Sequence, residues 1–226
     1  MMKYYDTVIF DMDGTILNTL EDLTDATNEA LTHFGYPART IDEVRRFVGN
    51  GVLRLMELAV PGGQTAADFQ EVYQYFKTWY GGHSRIKTGP YPGIPELVSA
   101  LGREGYKLAV VSNKFHDAVV DLTAFYFGEG IPVAIGENEA AGIRKKPAPD
   151  TVRAALARLG SEEAHAVYIG DSEVDYATAL ASGLDCISVS WGFRDRRLLE
   201  TFDSVLIADR PEEILTYLRD HRRPSL

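Results

Sequence analysis

The sequence has a single cysteine, Cys186, and therefore cannot form an internal disulfide. One free cysteine is typical of a protein from a reducing compartment. No apolar run reaches the roughly 18 residues that a membrane-spanning helix needs. The first residues lead directly into a strand-like segment, without the apolar stretch and cleavage site of a signal peptide. These absences predict a cytoplasmic, soluble protein that has no membrane partner.

Positive charge is also scarce in this sequence. Lysine and arginine number 23 against 33 aspartate and glutamate residues, which gives a formal net charge of −10. A nucleic-acid partner is not expected, because contacts to phosphate backbones require a basic face. An anionic substrate would need a metal ion or locally arranged positive side chains. The five histidines are scattered and do not have the spacing of a zinc site.

Short apolar runs alternate with segments of helical periodicity along most of the chain. The runs are nearly continuous in apolar residues, which is typical of strands buried on both faces of a parallel sheet. Strands are predicted over residues 7–10, 107–111, 166–169, 186–189 and 205–207. Helices are predicted between them over residues 94–101, 118–125, 151–159, 176–181 and 212–218. This alternation predicts an α/β fold with a doubly wound, Rossmann-like parallel sheet.

The interval between the first two predicted strands is too long for a simple crossover. A βαβ connection needs about a dozen or more residues, whereas residues 11–106 separate these strands. Apolar residues recur there at helical spacing, with glycine and proline breaks. We therefore expect a helical cap domain over residues 19–83, inserted into a core of residues 1–18 and 84–226. The Gly81-Gly82 pair, at the return to the core, is predicted to form a hinge.

Two pairs of carboxylates follow predicted strands. Asp11 and Asp13 come directly after the first strand, and Asp171 and Asp175 follow the strand that ends at residue 169. Open α/β sheets bind their ligands beyond the carboxyl ends of the strands. Crowded carboxylates repel each other unless a cation compensates them, and oxygen-only ligands favour Mg²⁺ over zinc. Taken singly, each pair also fits a common turn or helix cap.

Two further clusters have the chemistry of a phosphate site. Ser112 and Asn113 follow the second strand, where small polar side chains and free backbone N–H groups suit a phosphate oxygen. Lys145 and Lys146 lie on a proline-rich loop, and a lysine held on such a loop can neutralise a phosphate. Asp150, at the end of this loop, is expected to cap the next helix. Alone, the first cluster is more typical of a helix cap, and the second of solvated surface lysines.

The four clusters form a joint pattern along the chain. Asp-Met-Asp-Gly-Thr begins at Asp11, Ser112-Asn113 and Lys146-Pro147 follow, and Gly-Asp-Ser-Glu-Val-Asp begins at Gly170. In this order they resemble the motifs of the haloacid dehalogenase superfamily, and the chain is most similar to its phosphoglycolate-phosphatase-like branch. The resemblance covers nearly the whole chain, including the helical insertion. Lys146 is preferred to Lys145 because the lysine of the family motif immediately precedes the proline. Further likenesses to this branch lie at residues 48–51, 91–94 and 189–192.

The resemblance implies a role for each cluster. Asp11 would be the nucleophile that becomes an aspartyl phosphate, and Asp13 would act first as an acid and then as a base. Mg²⁺ would be held by the Asp11 carboxylate, the Asp13 carbonyl and the Asp171 side chain. Asp175 would support the metal directly or through water. The transferring phosphoryl group would be bound by Ser112, the Asn113 backbone and Lys146.

The cap is expected to select the substrate. In its Gly49-Asn50-Gly51 loop, the glycines permit close backbone approach and Asn50 offers both a donor and an acceptor. Arg46, on the neighbouring helix, would supply positive charge for a substrate carboxylate. Thr19 is expected to cap the first helix of the cap. An aromatic stripe over residues 69–80 is more typical of cap core or of a dimer surface than of a ligand site, so a homodimer is left open.

These observations predict a Mg²⁺-dependent phosphatase that hydrolyses a small, anionic phosphomonoester, with phosphoglycolate as the first candidate by resemblance. A sugar-phosphate mutase of the β-phosphoglucomutase type, a nucleotidase and a pyrophosphatase share the same core and remain alternatives. A non-catalytic binding protein would normally lack the nucleophile or a metal ligand. This chain retains every such position.

Overall fold

The computed structural model of the protein describes residues 4–138 and 142–222. The strands are β1 (Thr7–Phe10), β2 (Leu17–Asn18), β3 (Gly89–Pro90), β4 (Lys107–Phe115), β5 (Val133–Glu137), β6 (Ala166–Gly170), β7 (Asp185–Val189) and β8 (Leu206–Ala208). The helices are α1 (Leu20–His33), α2 (Ile41–Phe47), α3 (Val52–Ala59), α4 (Phe69–His83), α5 (Ile94–Arg103), α6 (His116–Phe127), α7 (Asp150–Leu159), α8 (Glu173–Ala181), α9 (Arg196–Leu199) and α10 (Pro211–Asp220). The two ends of the predicted core, residues 1–3 and 223–226, lie outside the described residues.

Six of the strands form one parallel sheet with the order β5-β4-β1-β6-β7-β8. β1 lies near the centre, where Phe10 is opposite both Val110 of β4 and Ile169 of β6. The residues that follow these three positions therefore emerge at one edge of the sheet. The prediction of an α/β fold with a Rossmann-like parallel sheet is confirmed.

Helices cover both faces of the sheet. Val8 and Phe10 of β1 point into a core beneath α5, α6 and α10, whereas Ile9 points into a second core beneath α7 and α8. Burying one large apolar side chain stabilises a fold by about 1.5–3 kcal/mol. Because alternate residues of these strands are buried on opposite faces, the strands are apolar almost throughout.

Helices α1–α4 have a buried core of their own. Phe69, Val72, Phe76 and Tyr80 of the aromatic stripe are buried in it, and Trp79 packs against it. Most of the stripe therefore serves to hold these helices together. The four helices lie within the predicted insertion, and the division into a core and a cap stays a prediction.

The two chain segments that connect the inserted helices to the sheet are held by strand pairing and by hydrogen bonds. β2 and β3, one on each connection, pair antiparallel. The buried Asp22 carboxylate of α1 accepts hydrogen bonds of 2.9–3.1 Å from the backbone N–H groups of Ile86, Lys87 and Thr88. The predicted hinge at Gly81-Gly82 is wrong, because α4 continues through both residues.

Two strands differ from the prediction. β5 was not predicted, since its apolar run is short and ends in a glycine. β4 was expected to end at residue 111 but continues to Phe115, after a register shift against β5. Ser112 and Asn113 therefore lie in the extended strand and not in a turn. In residues 4–138 and 142–222, no helix combines the length and apolar character needed to cross a membrane.

Candidate active site

The predicted clusters meet in one cavity at the carboxyl edge of the sheet. The cavity and its mouth together hold about 510 Å³ of space free of protein atoms, open solvent included. Its wall from the sheet side includes Asp11, Asp13, Ser112, Asn113, Lys146 and Asp171. Its wall from the inserted helices and their loops includes Leu23, Val48, Gly49, Gly51, Val52 and Leu55. The site therefore lies between the sheet and the insertion.

Lys146 lies at the centre of the acidic cluster. Its Nζ is 2.6 Å from Asp11 Oδ1 and 2.7 Å from Asp175 Oδ1, and it donates to the Tyr168 hydroxyl at 3.0 Å. Burial by itself would lower the pKa of Lys146, but the carboxylates of Asp11 and Asp175 raise it above its ordinary value. Lys146 is therefore a fixed cation. Lys145 is only half-buried and does not line the cavity, so the geometry favours Lys146 as the phosphate-binding lysine.

Three buried carboxylates, those of Asp11, Asp171 and Asp175, offer oxygens that lie within 4.8 Å of one another. Burial, followed by repulsion from Asp175, raises the pKa of Asp11 well above its ordinary value. The same two causes raise the pKa of Asp171 to about 7. A bound cation would relieve both effects, since it stabilises the ionised carboxylates. Three oxygen donors without nitrogen or sulfur fit Mg²⁺.

Both oxygens of Asp175 are already used by neighbouring groups. Oδ1 accepts from Lys146 Nζ and the Tyr168 hydroxyl, at 2.7 and 3.1 Å. Oδ2 accepts from the backbone N–H groups of Asp171 and Ser172 and from the Ser172 hydroxyl, which also caps α8. Asp175 thus braces the lysine and the Asp171 loop, and a role in holding metal directly or through water stays a prediction.

Asp13 makes its hydrogen bonds with residues outside the carboxylate cluster. Its Oδ1 accepts hydrogen bonds of 2.7 Å from both Thr19 Oγ1 and Lys114 Nζ. Its Oδ2 is 3.4 Å from the Ser112 hydroxyl. Burial alone would lower the pKa of Lys114, but the Asp13 carboxylate raises it above its ordinary value. Asp13 is therefore held at Oδ1 by the Thr19 hydroxyl and the Lys114 ammonium.

The side chain of Asn113 forms hydrogen bonds at the site, although a role was predicted only for its backbone. Its side-chain oxygen accepts from the Lys146 backbone N–H at 2.7 Å, and its amide donates to the Lys146 carbonyl at 3.1 Å. The same amide reaches the Gly49 carbonyl of the insertion at 3.2 Å. The prediction concerned only the Asn113 backbone. Its side chain holds the lysine loop in place and connects it to the loop of the insertion.

The Gly49-Asn50-Gly51 loop contacts the sheet side through its backbone. Gly51 has a φ of +88°, and a Cβ there would lie 3.3 Å from the Asn113 carbonyl oxygen. The glycines were predicted to let this loop approach the substrate, and that approach stays a prediction. The side chains of Asn50 and Arg46 are exposed and do not line the cavity. Their part in substrate selection stays a prediction.

Two predicted helix caps are absent. Thr19 precedes α1 but makes no capping hydrogen bond, because its hydroxyl donates to Asp13. Asp150 is the first residue of α7, and its carboxylate is paired with Arg144 at 2.8 Å. In both cases a hydrogen bond to a side chain six positions earlier in the sequence takes the place of the predicted helix cap.

Four residues for which no role was predicted lie at the site in the structure: Lys114, Tyr168, Phe193 and Arg194. The Phe193 backbone N–H donates to Asp171 Oδ2 at 2.6 Å, while its ring packs into the core of the inserted helices. Arg194 pairs with Glu173 at 2.8 Å and donates to the Val48 carbonyl at 2.9 Å. The likeness at residues 189–192 pointed to the neighbourhood of this loop, and Lys114 directly follows the Ser-Asn motif. No sequence pattern singled out Tyr168.

Comparisons with known proteins agree with this geometry. The family model described as haloacid dehalogenase-like hydrolase matches residues 8–189. The phosphoglycolate phosphatase of Mesorhizobium japonicum is 30% identical over 89% of this chain and 89% of its own length. That of Cereibacter sphaeroides is 35% identical, over 83% of this chain and 86% of its own. A crystal structure from Lactobacillus delbrueckii subsp. bulgaricus, assigned as a phosphoglycolate phosphatase, is 38% identical with a TM-score of 0.89, covering 96% of this chain and 99% of that one. The chain therefore belongs to the haloacid dehalogenase-like hydrolase family and is a phosphoric monoester hydrolase of the phosphoglycolate-phosphatase-like kind.

Proposed function

We propose that this protein is a Mg²⁺-dependent phosphatase that acts on a small, anionic phosphomonoester through an aspartyl phosphate on Asp11. One observation carries the proposal. The buried Asp11 carboxylate lies 2.6 Å from the Lys146 ammonium and within 4.8 Å of the carboxylates of Asp171 and Asp175. A nucleophile, a cation and metal ligands are thus assembled at one point of the cavity, as phosphoryl transfer requires.

Two displacements at phosphorus complete the reaction. A carboxylate oxygen of Asp11 attacks phosphorus, the bond to the leaving oxygen breaks, and Asp13 gives that oxygen a proton. Asp13 then takes a proton from water as the water oxygen attacks phosphorus. The Asp11–phosphorus bond breaks, which releases inorganic phosphate and restores both carboxyl groups. Ser112, the Asn113 backbone and Lys146 bind the phosphoryl oxygens during both steps.

Mg²⁺ would be held by the Asp11 and Asp171 carboxylates and the Asp13 carbonyl, with Asp175 in support. When bound, it neutralises charge on the phosphoryl group and orients it toward the nucleophile. The chain's own residues do the rest. Phe193 orients Asp171 through its N–H group, and Asp175 orients Lys146.

The substrate class follows from the cavity and from the relatives. The space between sheet and inserted helices suits a small metabolite, and the named relatives support phosphoglycolate as the first candidate. The insertion acts as a cap that excludes bulk water from the cavity and leaves room for the water that hydrolyses the aspartyl phosphate. A cytoplasmic location belongs to the same proposal. A mutase would have to keep its phosphoenzyme from water, so net release of phosphate from a monophosphate separates the two activities.

The test follows phosphate release from a panel of phosphorylated metabolites during a Mg²⁺ titration, with Asp11→Asn alongside. We expect Mg²⁺-dependent turnover by the wild type, and a loss of several orders of magnitude in Asp11→Asn, as for other nucleophile knockouts. Mass spectrometry of acid-quenched wild type should show one added phosphoryl group that the variant lacks. Asp6→Asn, at the opposite end of β1, is the matched control and should stay active. Wild-type turnover by Asp11→Asn, with reversion to aspartate excluded, would overturn the mechanism.

A further inference from the structure

Lys114 is a buried cation that the mechanism above does not use. It lies near the end of β4, is only 2% exposed, and lines the cavity. Its Nζ is 2.7 Å from Asp13 Oδ1 and 4.9 Å from the centre of the Tyr80 ring of α4. A buried ammonium is costly unless it is paired, so the position of Lys114 depends on Asp13 and on the aromatic face above it.

Asp13 depends on Lys114 in turn. Its carboxylate follows β1 on a loop and retains 13% exposure. Within the part of the chain that the structure describes, Lys114 is its one charged partner. The Thr19 hydroxyl shares the same oxygen at 2.7 Å, and the Ser112 hydroxyl lies 3.4 Å from the other, beyond the usual range for such a bond. The charged bond from Lys114 is the strongest of these three restraints.

We infer that Lys114 is a positioning residue for Asp13, and that it holds the carboxyl group where it meets the leaving oxygen of the substrate. The inference rests on the proposed function, in which Asp13 is the acid and base. Proton transfer requires the two heavy atoms to lie within about 2.6–3.2 Å, so a carboxylate that rotates freely loses most of its effect. Because Tyr80 belongs to the insertion, this restraint also links the acid to the helices that cover the cavity.

An acid that acts on the leaving oxygen matters most when that oxygen leaves poorly. Alkyl phosphates need the proton, whereas 2,4-dinitrophenyl phosphate expels its leaving group without one. For a two-step reaction, kcat/KM reports formation of the phosphoenzyme, so the second step does not enter the comparison. Loss of Lys114 should therefore reduce kcat/KM strongly for alkyl phosphates and weakly for the dinitrophenyl ester.

The experiment compares Lys114→Met and Asp13→Asn with Lys107→Met, which makes the same change at the exposed, opposite end of β4. The substrates are 2,4-dinitrophenyl phosphate and the alkyl phosphate that the wild type hydrolyses best. We expect Lys114→Met to lose about 10–100-fold in kcat/KM on the alkyl phosphate, in line with other supporting residues, and only a few-fold on the aryl ester. Lys107→Met should match the wild type on both.

Three results would overturn the inference: an equal loss on both substrates, a rise in KM with unchanged kcat, or no loss. The rise in KM would make Lys114 a substrate-binding residue. The Asp13→Asn variant shows whether a negative result with Lys114→Met contradicts the role of Lys114 alone or also the role of Asp13 as the acid. If Asp13→Asn itself shows no dependence on the leaving group, the assignment of Asp13 as the acid fails. If the loss in kcat/KM depends on the leaving group in Asp13→Asn but not in Lys114→Met, the inference about Lys114 fails and the role of Asp13 stands. Lys114→Gln keeps an N–H donor and provides the same comparison should Lys114→Met not fold.

Discussion

At the scale of single residues, the site has more negative charge than its own cations can balance. Asp11, Asp171 and Asp175 are all buried, and Lys146 is the ammonium that contacts two of them. Ionised carboxylates in such surroundings destabilise the fold unless something further compensates them. Under the proposed function, the same excess of charge favours the binding of a divalent cation. Stability of the metal-free fold and metal binding would then be opposed in these residues.

The first prediction separates the two aspartates that follow β6. Asp171→Ala should weaken Mg²⁺ binding by more than about 10-fold, because a ligand is lost. Asp175→Ala should weaken it less, because both Asp175 oxygens are already used by Lys146, Tyr168 and the Asp171 loop. The measurement is the Mg²⁺-induced rise in Tm, which reports binding without turnover. Asp121→Ala, exposed on α6, is the control. Equal Mg²⁺ affinity in Asp171→Ala and the wild type would refute the assignment.

The second prediction concerns pH. In the metal-free protein, burial and Asp175 raise the pKa of Asp171 from 3.8 to about 7, so the folded state binds this proton more tightly than the unfolded state. Stability falls with rising pH wherever the folded state holds more protons, here between about pH 4 and pH 7. With a chelator present, Asp171→Asn should therefore have a higher Tm than the wild type at about pH 8 and a similar one at about pH 4. Mg²⁺ should cancel the advantage at high pH. If Asp171→Asn is no more stable than the wild type at about pH 8, the ionised Asp171 carboxylate does not destabilise the metal-free fold.

At the scale of elements, the Gly49-Asn50-Gly51 loop shows why a backbone can matter more than its side chains. The Gly49 carbonyl accepts from Asn113, and the Gly51 backbone lies close to the Asn113 carbonyl. A side chain at Gly51 would separate the insertion from the strand end that carries Ser112 and Asn113, the proposed phosphate-binding residues. The loop thus sets the distance between the two walls of the cavity.

The third prediction compares two glycines of positive φ to test whether the Gly49-Asn50-Gly51 loop sets the distance between the two walls of the cavity. Gly51→Ala and Gly35→Ala, at φ +88° and +78°, should each lose about 1–3 kcal/mol of stability to backbone strain. A Cβ at Gly35 meets nothing within 4 Å, whereas one at Gly51 would lie 3.1 Å from Glu137 Oε2. Only Gly51→Ala should lower kcat/KM. Equal kcat/KM in the two variants would show that the loop does not set the width of the cavity.

At the scale of the whole molecule, the loop after β7 joins the inserted helices to the sheet. Phe193 places its ring in the core of the inserted helices while its N–H group binds Asp171. Arg194 bridges Glu173 of α8 and the Val48 carbonyl next to the glycine loop. The insertion is therefore connected through Phe193 to Asp171, the proposed metal ligand, and through Arg194 to α8.

The fourth prediction is that Arg194→Met loosens this connection without unfolding the protein. Hydrogen exchange should become faster around residues 48–52, and kcat/KM should fall, while the Tm changes little because the cores stay packed. Arg196→Met, two residues further on, removes an exposed arginine that pairs with Glu200 and leaves the insertion untouched. Unchanged exchange at residues 48–52 in Arg194→Met would mean that Arg194 does not hold the insertion.

The class of fold, the order of the motifs and most of the groups that meet in the cavity could be predicted from the sequence. These features are local, because apolar runs define buried strands and parallel strands expose the residues that follow them at one edge. The prediction failed at β5 and at the end of β4, since short or polar segments become strands only when a neighbouring strand pairs with them.

The pairing of the charged groups could not be predicted, because it depends on how distant segments come together in the folded chain. Lys114 and Asp13 are 101 positions apart, and Lys146 and Asp11 are 135 apart. A lone lysine has no local pattern that distinguishes a buried partner of an acid from a solvated side chain. Thr19 likewise fits a local cap, and it turns to Asp13 because the carboxylate lies within reach. Such pairings are set by burial and by the distance between segments, and both exist only once the chain is folded.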